Sequence, residues 1–437
     1  MADSSPGSSS SSLSRKSGLI LRARVVLPVG GRPIPNGAII VKGDKIAAVG
    51  RWKDLAKDAP RKAVDHGDAI LMPGLVNAHC HLDYTNMAGL LPPPRRFTDW
   101  LQSIVSVKAH WTTSDYRDSW REGARMLVRN GTTTVADIEA MPELLPEAWR
   151  ETPLRVISLM EMIGLSARRE PQAIVTEAVQ RISRLKHGRC RAGLSPHAPY
   201  STTAALLRLS ARAARRHRWL LCTHVAESAQ EFEMFVQARG AMYDWLERSG
   251  RDISDCGLVS PVRHMQRCGA LGANLLAVHA NYLRRGDAQL LAARRVHIVH
   301  CPRSHHYFGH RAFPLKRLLR AGVNVCLGTD SLATVFKRRR EAVELNMFEE
   351  MRELASGTDA PTSRMIVRMG TLNGAAALGM AGKIGELKES AFADLVAVPF
   401  KGKVSEAYET VVHHSGPVAA SMIGGKWAVK PPSLSTI

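Results

Sequence analysis

The sequence predicts an α/β chain: a (β/α)8 TIM barrel of parallel βα units, with a small β domain built from both termini beside it. Three observations carry that prediction. Apolar, β-rich runs alternate with helical stretches through the middle of the chain, the pattern of parallel βα units. Eight candidate strands end near His79, Asp137, Glu161, His197, His224, His279, Cys301 and Asp330. Eight is the number such a barrel needs, and ionisable residues at strand ends are where it carries its chemistry. The two terminal stretches, by contrast, are strand-rich without intervening helices. A chain of 437 residues suits one large barrel with a satellite.

Residues 1–17 are Ser-rich, lack the apolar centre of a secretion signal and read as a disordered tail. Residues 18–68 hold β-rich runs such as Leu19–Val26 and Ala38–Val41, divided by turns such as Lys42-Gly43-Asp44. Residues 383–437 resemble them: Ala393–Val398 and Ala420–Ile423 are strand-like, and Gly424-Gly425 turns into Lys426–Val429. The barrel is expected over 69–382. Its first strand is read as one buried run, Ala69–Asn77. Helices are expected at Thr202–His217, Ala229–Ser249, Gly286–Arg295 and Leu315–Ala321, between the strands.

Composition narrows the function classes. The net charge is +21, from 60 basic and 39 acidic residues, but the arginines are scattered over helices rather than gathered in a recognisable module. Solvated helix faces explain this better than nucleic-acid binding, though a positive field would also draw in an anionic substrate. No apolar run is long enough to cross a bilayer. Seven dispersed cysteines without a CxxC pair fit a reduced cytoplasmic compartment, and Cys222, Cys301 and Cys326 read as core thiols. There is no Walker loop, GxGxxG or GxSxG.

The strand ends carry the chemistry. His79 and His81 alternate with Cys80, so the two imidazoles share one face while the thiol points away. His224 supplies a third imidazole and Asp330 a carboxylate. Three imidazoles and one carboxylate suit one divalent ion, Zn²⁺ foremost with Fe²⁺ or Mn²⁺ as alternatives, and leave room for water. Glu227, three residues past His224, is placed to shuttle protons; its bland reading is a helix N-terminal acid. His279 is placed to orient water or stabilise developing charge. His197, held between two prolines, reads as a substrate contact or a structural residue. Asp83 and Tyr84 follow the paired histidines directly and could line the mouth, and Glu161 faces either the mouth or a helix. His300, His305, His306 and His310 crowd the loop after the seventh strand. Arg95, Arg96, Arg168, Arg169 and Arg303 are candidates for a substrate carboxylate.

The chain resembles the amidohydrolase superfamily in its deaminase and chlorohydrolase branch. The likeness rests on Pro73–His81, Gly131–Thr134, Ser195–Ser201, Thr223–Glu227, His300–Ser304, Leu327–Ser331 and Thr371–Ala375, and runs from about residue 18 to the C-terminus. It implies a metal-dependent barrel flanked by a β-sandwich of both termini. It also implies ligands at His79, His81, His224 and Asp330, with Glu227 and His279 in proton transfer; in the mechanism expected here Asp330 accepts the proton of the attacking water. Two departures stand out. Cys80 replaces a common Thr, and His305 replaces a common Asn near the substrate, so specificity does not carry over from commoner members. No lysine suits carboxylation into a metal bridge, since Lys186 falls in a helix; this favours one metal over two. The stretches around His81–Thr85 and Phe97–Leu101 look closest to deaminases of adenine nucleosides, such as aminodeoxyfutalosine deaminases. The expected activity is metal-dependent release of ammonia from an adenosine-, S-adenosylhomocysteine- or aminodeoxyfutalosine-like compound. The rivals are dechlorination of triazine-like rings and two-metal hydrolysis of cyclic amides. The expected partner is a small molecule, with neither nucleic acid nor membrane; the resemblance also suggests a homodimer.

Overall fold

The computed structural model describes residues 18–58, 62–165, 169–185 and 188–432. The expected tail at 1–17, Arg168 and Lys186 lie outside the described residues. Eight parallel strands follow one another in chain order around the central sheet. They are β1 (Leu75–Cys80), β2 (Thr132–Glu139), β3 (Arg155–Met162), β4 (Arg191–Pro196), β5 (Leu221–Val225), β6 (Leu275–His279), β7 (His297–His300) and β8 (Asn324–Leu327). Helices return the chain between strands, as parallel pairing requires.

The barrel closes where β8 meets β1. Cys80 and Asp330 form a parallel bridge, the Thr329 N–H donates to the His79 carbonyl at 3.0 Å, and the His81 N–H donates to the Asp330 carbonyl at 3.2 Å. Gly328 permits this approach, because a Cβ there would lie 2.7 Å from the His79 carbonyl oxygen. Asn77 pins the seam through Thr329, donating to its hydroxyl at 2.7 Å and accepting from its N–H at 3.1 Å.

One apolar cluster draws Val76, Ile138, Leu159, Cys222, Val278, Val299 and Cys326 from seven different strands, so it fills the barrel interior. Leu378, Met380 and Ile384 plug it. A larger cluster lies between strands and helices, and Cys80 packs there with Trp120 and Leu127, off the face that carries His79 and His81. All seven cysteines are buried and free.

Two expectations change in detail. The run expected as one strand divides at Gly74: Ala69–Pro73 pairs with Leu19–Val26 and Leu395–Pro399 in the terminal sheet, and only Leu75–Cys80 enters the barrel. Both halves are buried throughout, so hydrophobicity alone carries no mark of the division. The helix expected over Ala229–Ser249 is two, Ala229–Gln237 and Ala241–Arg248, broken where Ala238 (φ 50°) and Gly240 (φ 98°) turn left-handed.

The termini build one eight-stranded sheet rather than two separate ones. Leu19–Val26 is its centre, pairing with Ile34–Lys42 along one edge and with both Lys62–Asp65 and Ala69–Pro73 along the other. The sheet curls until its ends touch. The Gly425 turn meets the Gly43 turn so closely that a Cβ on Gly425 would fall 2.0 Å from the Gly43 oxygen. Leu21, Ile39, Ile46, Leu71, Leu395 and Met422 fill the curl. A buried ion pair, Arg155 to Asp394 at 2.5 Å, ties this sheet to β3.

Candidate active site

The C-terminal ends of β1, β5, β6 and β8 bring five buried donors together. Ligand atoms of His79, His81 and Asp330 lie within 4.8 Å of one another, as do those of His79, His224 and His279. His79 is the common member, and both of its ring nitrogens are buried without a hydrogen-bond partner. The His79 and His81 Nε2 atoms stand 3.6 and 3.7 Å from Asp330 Oδ1. His224 Nδ1 lies 2.8 Å from the His197 carbonyl. A carbonyl only accepts, so Nδ1 carries the proton and Nε2 offers its lone pair to the site. Ser304 donates to Asp330 Oδ2 at 2.7 Å, leaving Oδ1 for the histidines.

Backbone conformation aims these groups. Asp330 (φ 54°), His279 (φ 73°), Ala280 (φ 51°) and Ala226 (φ 52°) are all left-handed without being glycine. Such strain persists only where surrounding contacts enforce it, and it gathers at functional sites. The Ala226–Glu227 turn shows the enforcement. Both Glu231 carboxylate oxygens accept from it, from the Ala226 N–H at 3.0 Å and the Glu227 N–H at 2.8 Å. Asn281 Nδ2 donates to the Glu227 carbonyl at 2.9 Å, and Asn281 Oδ1 is held by His305 Nδ1 at 3.1 Å. The clamped turn places Glu227 Oε1 3.4 Å from His279 Nε2.

Burial sets the protonation states. It drives the His81 and His279 rings down to about 3 and His224 well below its ordinary value, so all three are neutral and can lend a lone pair. Burial, helped by the Asp330 and Glu231 charges, pushes the Glu227 carboxyl well above the usual range. Burial also works against the Asp330 carboxylate, but the N–H dipole of the facing His79 ring, with the His279 and His81 rings beside it, outweighs burial and holds Asp330 below its ordinary value. One carboxyl is thus kept protonated and its neighbour ionised.

A cavity of about 120 Å³ opens onto this cluster, lined at its inner end by His81, His224, Glu227 and Asp330. His197, Glu161, Tyr84 and Lys108 form its waist. Lys108 hydrogen-bonds the Tyr84 hydroxyl and stands 3.8 Å from Glu161 Oε2.

Three residues expected at the substrate do not line this cavity. Arg303 is half-buried, spent on Glu349 and Glu350 and on the Glu344 carbonyl. His305 stands behind Glu227, engaged with Asn281. Asp83 is 2% exposed beneath the mouth, its carboxyl pushed up to about 7 by burial that Lys108 only partly offsets. Of the crowded histidines, His300 stacks on Phe313 at 3.8 Å, while His306 is exposed and pairs with Glu353. Arg169 is exposed on Glu177. Sequence reading missed Glu231, Asn281 and Lys108. Only the Ser228-x-x-Glu231 spacing, a capping pattern, marked Glu231, and its carboxylate turns back past the cap to the turn before it.

The amidohydrolase family model matches residues 70–428. The chain belongs to the amidohydrolase family. A 5-methylthioadenosine/S-adenosylhomocysteine deaminase of Syntrophobacter fumaroxidans is 32% identical over 99% of this chain and 96% of its own. An aminodeoxyfutalosine deaminase of Deinococcus radiodurans is 29% identical over 80% of this chain and 83% of its own. The solved structure of an adenosine deaminase from Xanthomonas campestris with bound zinc superposes with a TM-score of 0.80 at 25% identity, covering 97% of this chain and 94% of that one. This amidohydrolase is accordingly a metal-dependent enzyme that hydrolyses carbon–nitrogen bonds in a small molecule. Neutral imidazoles, an ionised carboxylate and an orphaned His79 ring are the donor set that a divalent ion takes up. Among the described residues, no helix is long and apolar enough to cross a membrane.

Proposed function

We propose that this enzyme releases ammonia from the amino group of an adenine nucleoside derivative, using one Zn²⁺ held by His79, His81, His224 and Asp330. The observation that carries the reading is the pairing of a protonated Glu227 with an ionised Asp330 beside a buried His79 ring that has no hydrogen-bond partner. Convergence of the donor groups on His79 supports a single ion. The named activities of the relatives support the deamination. The recessed cavity supports a small molecule over nucleic acid, and seven free buried thiols support a cytoplasmic setting.

When bound, the ion supplies Lewis acidity, making water a nucleophile near neutral pH. Asp330 takes a proton from the attacking water through Oδ1 while Ser304 holds Oδ2. Glu227 protonates the ring nitrogen beside the carbon that bears the amine, making that carbon electrophilic. The water oxygen bonds to this carbon, and His279, 3.4 Å from Glu227, steadies the charge that develops there. Asp330 then passes its proton to the amine, the carbon–nitrogen bond breaks as ammonia leaves, and the hydroxyl proton on that carbon returns to Glu227 as the carbonyl forms.

Ammonia release from purified, zinc-loaded protein over a panel of purines, adenosine derivatives, pterins and aminotriazines tests the reading. Turnover is expected among the adenosine derivatives, and turnover confined to the aminotriazines or the pterins overturns it. Glu227→Gln should keep its metal and lose about 10²- to 10⁴-fold in rate, the usual worth of a positioned acid.

A further inference from the structure

The outer half of the cavity has no role in the chemistry above, and its composition is unlike that of the inner half. Helix Phe97–Lys108 contributes Trp100, Leu101 and Val105, the segment after β3 contributes Ile163 and Leu165, and helix Ala241–Arg248 contributes Trp245. Two of these are left wet: Val105 is 60% and Ile163 46% exposed, among the few large apolar side chains so placed. A contiguous apolar wall that opens from a catalytic cleft and is not covered by the protein is a surface awaiting an apolar ligand group. Between this wall and the donor cluster runs a polar waist. Glu161 and Lys108 stand 3.8 Å apart there, so the waist offers an acceptor and a donor side by side. Lys108 is already bonded to Tyr84 and facing Glu161, so its charge is spent locally rather than directed at the outer wall.

Resting on the deaminase reading, we propose that the outer wall is a subsite for an uncharged alkyl or thioalkyl substituent, carried at the end of the substrate farthest from the reacting amine. Hydroxyl groups in the middle of the substrate meet the Lys108–Glu161 waist. An amino-acid or carboxylate tail would have to shed water against Trp100, Val105, Ile163 and Trp245, and is disfavoured. Among nucleosides of the adenosine type, the enzyme therefore prefers one ending in methylthio or methyl to one ending in homocysteine.

The test compares kcat/KM for 5′-methylthioadenosine, 5′-deoxyadenosine and S-adenosylhomocysteine in the zinc-loaded enzyme, and repeats it in Val105→Asp and Ile163→Asp. Both positions are exposed, so these variants should fold. The uncharged tails are expected to win by about tenfold or more, the discrimination that one or two apolar groups supply. Each Asp variant should shrink that ratio several-fold. Quenching of tryptophan emission on adding 5′-methylthioadenosine reads binding without turnover and should weaken in step. Equal or better turnover of the homocysteine compound, or a ratio unmoved by both variants, overturns the subsite while leaving the deaminase reading intact. Absence of ammonia from all three nucleosides, with turnover elsewhere in the wider panel, overturns both.

Discussion

Glu231 touches no candidate metal ligand, yet the geometry makes activity depend on it. Its two oxygens accept from the Ala226 and Glu227 N–H groups at 3.0 and 2.8 Å, and these bonds hold a left-handed alanine in place just before the proposed acid. Glu231→Gln keeps the shape and replaces one acceptor with an NH₂ group that faces a second N–H. One buried donor is then unsatisfied, which costs about 1–3 kcal/mol. A left-handed non-glycine residue costs about as much again to maintain, so the turn relaxes and Glu227 moves. A displacement near 1 Å at a reacting group costs on the order of 10²-fold in rate. We therefore expect Glu231→Gln to lose about 1–3 kcal/mol in urea unfolding and about 10²-fold in kcat, with metal content unchanged and KM altered little. Ammonia release, atomic absorption and equilibrium unfolding measure the three quantities. Full kcat in a protein destabilised by that amount would refute the positioning argument, and loss of the metal would show that Glu231 supports the ligands instead.

His79→Ala should lose both bound metal and activity, whereas His279→Ala should retain the metal and lose activity; metal loss in the second would make His279 a ligand. Chelation of the wild-type ion should abolish turnover, and added Zn²⁺ should restore it. His264 is buried beside Phe235 and its ring is held down to about 4, mainly by burial, so the unfolded chain binds more protons than the native one between pH 4 and 6.5. Stability should therefore fall by up to about 3 kcal/mol as pH drops through that window, and His264→Gln should flatten the loss in urea titrations at pH 7 and 4.5. Arg155→Met strands the buried Asp394 carboxylate, which also caps the Gly424 N–H at 2.6 Å. It should cost about 3–5 kcal/mol by denaturant unfolding, and a cost below 1 kcal/mol would mean that the pair does not tie the terminal sheet to the barrel.

The strand ends were legible because the chemistry is local to them. An alternating His79-Cys80-His81, or an aspartate after a β-branched run, states its side-chain direction through strand period alone. Features that depend on a distant partner were not. Arg303 looks like a free cation until Glu349 and Glu350 arrive from a helix more than forty residues later. His305 sits in the motif nearest the substrate, yet the strained turn at Ala280 brings Asn281 within its reach. Lys108 closes helix Phe97–Lys108 as an ordinary basic residue, and only folding sets it over Tyr84 and beside Glu161. The division of Ala69–Cys80 between two sheets escaped for a related reason. Both halves are apolar, and the partner strand that claims the first half, Leu395–Pro399, lies at the other end of the chain.

The seam between β1 and β8 has a consequence for how the protein is made. His79 and His81 leave the ribosome early, but the backbone groups of Thr329 and Asp330 that lock them arrive some 250 residues later. Until then the early histidines face an open sheet edge with no carboxylate beside them. Chemical competence is therefore expected only as the last barrel strand docks, since a chain truncated before residue 330 lacks the carboxylate that completes the proposed centre. The joint that completes the architecture also switches it on.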